Sequence, residues 1–369
     1  MSLYKILSIA ASISFPLLYV TLDDYSKLNS QNILHVFFML TPFYTLSLLE
    51  HLYARAGEYK SYKTNMHNCM MNKLPFVILF ILINYQSLIF VSVIYGLIFS
   101  VMIYFKGFFN NKNSKCFIND FYYGMKNNSK VEIFQEENLD LKIFLVNHIG
   151  FPLWLLLNLR NTIFGIANGT YIPLIITTLQ SIYIIFWSLN EKWLIVIMEK
   201  YYSKVGFNLC YGSFALVPAI FCNYTYYTSI NIVQHNYLLL SIYIFIYLLG
   251  LHIFICSSIE KYSFKKSLNP QEKYISLNCK DHICRFLVDE NSWWYYSRYI
   301  NYLGELLMVL SLSLICGFSS IIPHVYTILI IYTLFDRIRY NERKNEIRFS
   351  EDWKLYKKYV PYVLIPYVY

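Results

Sequence analysis

Residues Leu306 to Phe335, LLMVLSLSLICGFSSIIPHVYTILIIYTLF, decide how this chain is arranged. The run is apolar except at its middle, where Gly317, Ser319, Ser320 and Pro323 cluster as a turn signal. Read as a hairpin, it gives helices near 296–316 and 323–340 and returns the chain to the side it left. The polar loop 258–292 and the polar tail 336–358 then share one face. Read as one straight segment, it sends loop and tail to opposite faces, where they cannot line one pocket. The hairpin is the reading adopted.

The rest of the chain sets the class. Of 369 residues, 57% are apolar and 14% charged, against roughly 45–50% and 25% in soluble domains. Mean hydropathy is +0.40. There are too few polar residues to clothe a water-soluble globule, and a disordered chain or a secreted disulfide scaffold is excluded by the same count. An all-α polytopic membrane protein remains. A bilayer core needs about 20 apolar residues as helix. Candidate spans are 3–21, 33–50, 75–105, 141–163, 171–190, 207–228 and 237–257, followed by the hairpin. The run 75–105 would reach roughly 46 Å as one helix, too long for a perpendicular crossing. Two tight spans meeting near Asn84 to Ser87 and one tilted helix both fit, and two are preferred. That gives about ten transmembrane helices. Met1 to Val20 is apolar, lacks a small-residue cleavage site and is followed by Asp23-Asp24, as in an anchoring first helix rather than a removed signal. The connections 51–74, 106–140, 258–292 and 336–358 are too short to fold independently, so a single domain over 1–369 is expected.

The net charge of +9 comes from Lys and Arg in loops between apolar runs. Cytoplasmic loops of membrane proteins carry such an excess, so no nucleic-acid partner is inferred. Eight Cys are scattered without paired spacing, and no zinc set forms around Cys279, His282 and Cys284. Glycine-rich phosphate loops, a nucleophile elbow and HExxH spacing are absent. An enzyme built on this chain therefore brings in its reactivity with a cofactor.

Two polar regions stand out. One is Asn190-Glu191-Lys192-Trp193 through Glu199 to Gly206-Phe207-Asn208 and Val217-Pro218. Carboxyls between apolar spans are functional candidates when they lie at membrane depth, and an ordinary interfacial loop when they do not. The other is Ser292-Trp293-Trp294-Tyr295-Tyr296-Ser297-Arg298-Tyr299-Ile300-Asn301-Tyr302-Leu303-Gly304-Glu305. Aromatic residues mixed with Arg at the end of a span form either an interfacial belt or a stacking platform with a cation for phosphate.

This second stretch resembles the tryptophan–arginine–asparagine–tyrosine signature of the integral-membrane sterol reductases. That family includes the Δ14- and Δ7-sterol reductases, the C-24(28) reductases and the lamin B receptor. The tail Glu342-Arg343 … Phe349-Ser350-Glu351-Asp352-Trp353-Lys354-Leu355-Tyr356 … Val360-Pro361-Tyr362 is similar to the family's C-terminal signature, and weaker likeness runs from about Tyr59 onward. Ile103 to Gly107, Asp120 to Met125, Gly206 to Pro218 and Leu334 to Arg337 lean toward the plant-like Δ7 (7-dehydrocholesterol) reductases.

The resemblance implies NADPH as cofactor, a sterol substrate, and a multi-pass protein of the endoplasmic reticulum bilayer. It places the NADPH-binding part at about 258–369. Lys261 and Lys265 match the basic pair on the 2′-phosphate side, Leu287 and Trp294 match pocket-wall positions, and Arg298 with Asn301 and Tyr302 matches the signature's arginine and the pair that follows. Asn341, Asn345, Arg348, Phe349 and Tyr356 fall on cofactor positions of the tail. The residue types suit that task, since Lys offers a point charge to phosphate and Trp and Tyr offer flat faces.

Several positions depart from the family. Its tail arginine–aspartate is Tyr340-Asn341 here, and its cysteine, lysine and tyrosine become Asn345, Arg348 and Phe349. Glu305 stands where most members carry aspartate. Glu199 replaces an aspartate, and Tyr202-Ser203 replace a histidine–aspartate pair. The family's reaction protonates one carbon of a ring double bond and adds hydride to the other. Glu199 and Glu191 are the acid candidates, with Tyr302 and Tyr202 as hydroxyl relays. A non-catalytic sterol-binding or scaffold member is the rival from another class. A transporter is disfavoured, because no repeated half-structure is visible.

Overall fold

The computed structural model describes residues 13, 16, 30–56, 72–73, 75–110, 117–125, 130–134, 137–141, 144–190, 205–267, 272–278 and 283–368. They form two compact units, 1–232 and 233–369, each taken by itself below. Both are predominantly helical, with one two-stranded antiparallel ribbon apiece that the all-α expectation did not include. Among the described residues, four helices are long and apolar enough to cross a membrane: Tyr85–Phe109, Phe144–Ala167, Ile172–Leu189 and Tyr237–Lys265. Large apolar side chains such as Ile185, Phe245 and Leu248 stand exposed on them, as suits a multi-pass protein whose solvent is lipid. The expected first span, 3–21, lies almost wholly outside the described residues.

In the first unit, α1 (Ser30–Ala56) is followed by α2 (Phe76–Ile81) and α3 (Tyr85–Asn110). The break expected in 75–105 falls at Asn84, whose side-chain oxygen accepts from Gln86 N at 3.0 Å and Ser87 N at 3.1 Å. Asn is a strong N-cap because its short carbonyl reaches those orphan donors. What precedes the cap is a six-residue helix rather than a second full span. After α4 (Phe117–Tyr123) and the ribbon β1 (Lys130–Phe134) and β2 (Glu137–Asp140), a π-helical run, Phe144–Gly150, leads into α5 (Phe151–Ala167). Then come α6 (Ile172–Leu189), α7 (Phe207–Tyr211), a second π-helical run over Gly212–Phe221, and α8 (Asn223–Ile230). The expected span 207–228 is thus divided. Pro218 lies inside its π-helical part, where it cannot donate to the helical ladder. Gly124 and Gly206 allow the backbones to touch, since a Cβ on Gly206 would lie 2.3 Å from Gly124 N.

A polar seam ties α5, α6 and α8 together. Asn158 Nδ2 donates to Gln180 Oε1 at 2.7 Å, Thr225 Oγ1 to Asn158 Oδ1 at 2.7 Å, and Asn161 Nδ2 to Thr225 Oγ1 at 3.1 Å. Buried Arg160 donates from Nε to Phe80 O and from Nη2 to Ile83 O, both at 2.8 Å, closing the end of α2. Among apolar helices such bonds take the place of the hydrophobic drive that lipid removes.

In the second unit, α9 (Tyr237–Lys266) is capped by Asn236, the ribbon is β3 (Tyr274–Asn278) with β4 (Ile283–Leu287), and a single turn, α10 (Trp293–Tyr296), leads to α11 (Ile300–Ile315). The chain then reverses into α12 (His324–Phe349) and ends in α13 (Glu351–Tyr359). The hairpin expected over 306–335 is present. Gly317 takes φ 71°, which glycine alone adopts freely. His324 closes the turn, one ring nitrogen meeting Ser313 Oγ and the other Gly317 O.

Helices α9 and α11 cross at Gly250 and Gly304, where a Cβ on Gly304 would lie 2.6 Å from Gly250 O. Gly304→Leu is therefore expected to force the two helices apart and lower stability by about 1–3 kcal/mol, the usual cost of overpacking. The thermal unfolding midpoint checks it, and an unchanged midpoint would refute the close crossing.

Candidate functional site

The site layer begins where α12 runs out of apolar sequence. Ser350 takes φ 47°, and α13 leaves in a new direction. That corner brings Phe349, Trp353, Tyr356 and Val360 onto Leu277 and Val288 at the β3–β4 ribbon. The ring of Phe286 lies 5.4 Å from Phe349, 5.6 Å from Trp353 and 5.1 Å from Tyr356, all within the range of favourable aromatic contact. The loop 258–292 and the tail 336–358 thus meet, as the hairpin requires. Burial pushes the Tyr356 phenol well above its ordinary range.

Arg298 fastens this layer. It is 8% exposed. Its Nη1 donates to Val360 O at 2.7 Å and Pro361 O at 2.9 Å, its Nε to Glu342 Oε1 at 3.1 Å, and its backbone N to Tyr362 O at 3.0 Å. Ser297 Oγ donates to Val363 O beside it. Lys357 completes a charge network, 3.4 Å from Glu342 and 2.6 Å from Glu346. That ammonium holds the Glu346 carboxyl below the usual range. The Arg298 guanidinium is thus a clamp on the C-terminal segment.

On the far side of the ribbon, Trp294 is buried with Leu287, Phe264, Ile253 and Ile300. Ser292 caps α10 by accepting from Trp294 N at 3.0 Å. Trp294 Nε1 donates to Ser257 O at 2.9 Å, which fixes the ring, and the Lys261 ammonium sits 3.6 Å from the ring centre. Glu260 accepts from Trp293 N at 3.0 Å. Asp289 accepts from Lys273 N and Asn291 N, and those bonds hold its carboxyl below the ordinary range.

The other expected residues spread through this unit. Lys265 is exposed near the end of α9, and Asn301 is half-buried at the start of α11. Tyr302 is buried, its ring stacked on Tyr299 at 5.5 Å within a cluster with Leu334, Ile338 and Leu364. Asn341 and Asn345 are half-buried on α12. Arg348 lies with Nη2 3.6 Å from Cys284 Sγ and its guanidinium 5.2 Å from the Phe349 ring centre. Glu305 on α11 is within charge reach of Arg337 on α12. Glu191, Glu199, Tyr202 and Ser203 lie outside the described residues.

Sequence reading left Glu260 and Glu342 without roles. Glu342 stood inside the quoted tail signature, but its partner Arg298 is 44 residues away. Ser292 just before the tryptophan pair was a readable cap signal. Among the described residues no group of His, Cys, Asp and Glu can hold a metal ion. The donor set does fit a phosphorylated dinucleotide: ammonium groups on α9, a fixed indole under one of them, and half-buried carboxamides on α11 and α12.

Among the described residues, four membrane-length helices define a multi-pass membrane protein, and in its second unit the spanning helix α9 runs into a cationic, aromatic layer. Residues 53–369 match the Ergosterol biosynthesis ERG4/ERG24 family, and the chain belongs to that family. It is similar to the Delta(14)-sterol reductase ERG24 of Candida albicans, 32% identical over 235 residues, covering 62% of this chain and 51% of that one. To the Delta(14)-sterol reductase ERG24 of Saccharomyces cerevisiae it is 30% identical over 262 residues, 70% of this chain and 57% of the relative. To the 7-dehydrocholesterol reductase of Xenopus laevis it is 25% identical over 276 residues, 69% and 57% respectively. The chain thus spans little more than half the length of these curated relatives.

Proposed function

We propose that this chain is an NADPH-dependent reductase of a sterol ring double bond, working as one domain of about ten transmembrane helices in the endoplasmic reticulum membrane. The observation that carries this reading is the meeting of ribbon and tail in one layer with Lys261 over Trp294. Lys261 and Lys265 would hold the 2′-phosphate as point charges. Trp294 and Leu287 would wall the pocket, while Asn301, Asn341 and Asn345 would bond the polar edges, with Arg348, Phe349 and Tyr356 along the tail. Arg298 positions this set by fixing the C-terminal segment. When bound, NADPH supplies the reducing equivalent.

An isolated alkene is a poor base, so the proton must come from a carboxyl kept protonated by apolar surroundings. Glu199 or Glu191 is assigned that role. Dry walls keep water from the developing cation, and aromatic faces steady it by about 0.5–2 kcal/mol each.

Segment likeness in Ile103 to Gly107, Asp120 to Met125 and Gly206 to Pro218 supports Δ7 as the bond reduced. The higher identities to two Delta(14)-sterol reductases favour Δ14 as the second reading. Expression in yeast lacking its own sterol reductases, with sterols read by mass spectrometry, separates them: a Δ7-saturated product supports the first and a Δ14-saturated product the second. A folded chain that yields no new sterol would leave a non-catalytic family member.

Within the layer, Trp294→Ala removes the ring beneath Lys261 and is expected to weaken NADPH binding about tenfold, from roughly 1–2 kcal/mol of lost cation–π and stacking contact. Titration of the purified protein with NADPH checks this. Unchanged affinity would place the cofactor elsewhere.

A further inference from the structure

Among the described residues, the first unit holds a buried amide with no hydrogen-bond partner. Asn147 is wholly buried, and among the described residues neither its Nδ2 nor its Oδ1 meets a hydrogen-bond partner. Buried polar groups are regularly paired, so an amide with both ends orphaned is a place where a ligand, an ion or an ordered water can bond. Asn147 sits in the π-helical run Phe144–Gly150, a geometry that recurs at functional sites. That run packs on the other π-helical run, where a Cβ on Gly150 would meet the Ser213 side chain at 4.0 Å. The next residue is provided for: His148 O accepts from the buried Lys73 Nζ at 2.9 Å. The Asn147 amide is not.

Its neighbours along the run, Phe144, Leu145 and Ile149, join an apolar cluster with Phe214. Asn147 is also the fourth residue of Phe144–Ala167, a helix long and apolar enough to cross a membrane, so a polar amide stands near the start of an apolar stretch. A ligand matched to this place has one small polar group at the end of an apolar body. A hydroxyl is both donor and acceptor, so it can give its proton to Oδ1 or accept from Nδ2. We propose that Asn147 binds the single hydroxyl of the sterol and so sets the depth at which the ring system lies. The proposal rests on the sterol-reductase reading and deepens it by naming the group that recognises the polar end of the substrate.

The test uses the full chain in lipid nanodiscs, with labelled 7-dehydrocholesterol and its 3-deoxy counterpart as probes of binding. Wild type is expected to hold the hydroxylated sterol about tenfold more tightly, as a site that bonds a hydroxyl rejects the analogue without one. Asn147→Leu should lose that preference, weakening 7-dehydrocholesterol about tenfold and leaving the 3-deoxy sterol unchanged. Asn147→Ser, which keeps a donor and an acceptor, guards against a leucine variant that fails to fold, and should retain part of the preference. Unchanged preference in either folded variant, or equal affinity of wild type for both sterols, would overturn the assignment and leave an ordered water as the amide's partner. Failure of wild type to bind either sterol would overturn the functional reading itself.

Discussion

Arg298→Met should unfasten the C-terminal segment and lower the stability of the second unit by about 3 kcal/mol. The substitution leaves the carbonyls of Val360 and Pro361 without their donor and removes one partner of Glu342. Breaking a buried ion pair from one side costs roughly 3–5 kcal/mol, because the remaining charge is stranded. The low end applies, since Lys357 stays 3.4 Å from Glu342 and screens it. Arg298→Lys should recover less than half of the loss, because one ammonium cannot span two carbonyls and a carboxylate as the planar fork does. Thermal unfolding and protease sensitivity of the tail both read this out. A variant as stable as wild type would mean that the network contributes nothing to holding the layer together.

The larger effect on chemistry is expected from the carboxyls between the first unit's apolar stretches. Glu199→Gln and Glu191→Gln keep shape and hydrogen-bonding capacity but cannot release a proton. Whichever residue is the acid should lose turnover by about 10²–10⁴-fold, the usual contribution of a positioned general acid. Affinity for NADPH should stay within about twofold, because the cofactor residues proposed here all lie in the second unit. Turnover unchanged in both variants would remove these carboxyls from the mechanism. Loss of NADPH binding alongside turnover would assign them to the cofactor instead.

Which features could be read from the chain follows from the reach of each interaction. The break at Asn84 and the reversal at Gly317 were legible because a cap and a left-handed turn are set by residues adjacent in sequence. The joining of ribbon and tail followed from the reversal. The π-helical runs were not legible, because an apolar stretch looks alike at either helical period, and Pro218 marked only the second of them. The ribbons rest on strands of four or five residues, too short to stand out. The clamp role of Arg298 was hidden for another reason. Its acceptors are backbone carbonyls 62 and 63 residues away, and a carbonyl has no sequence signature. The family signatures include Arg298, and the contacts show what its guanidinium holds in the C-terminal segment.

The reductase account is tested most directly with the purified chain in lipid nanodiscs, supplied with NADPH and, in separate reactions, a Δ7- and a Δ14-unsaturated sterol. It predicts that NADPH is consumed in step with saturation of one of the two ring bonds, and that neither change occurs when the partner reagent is omitted. Folded protein that binds NADPH yet returns both sterols unaltered would contradict it.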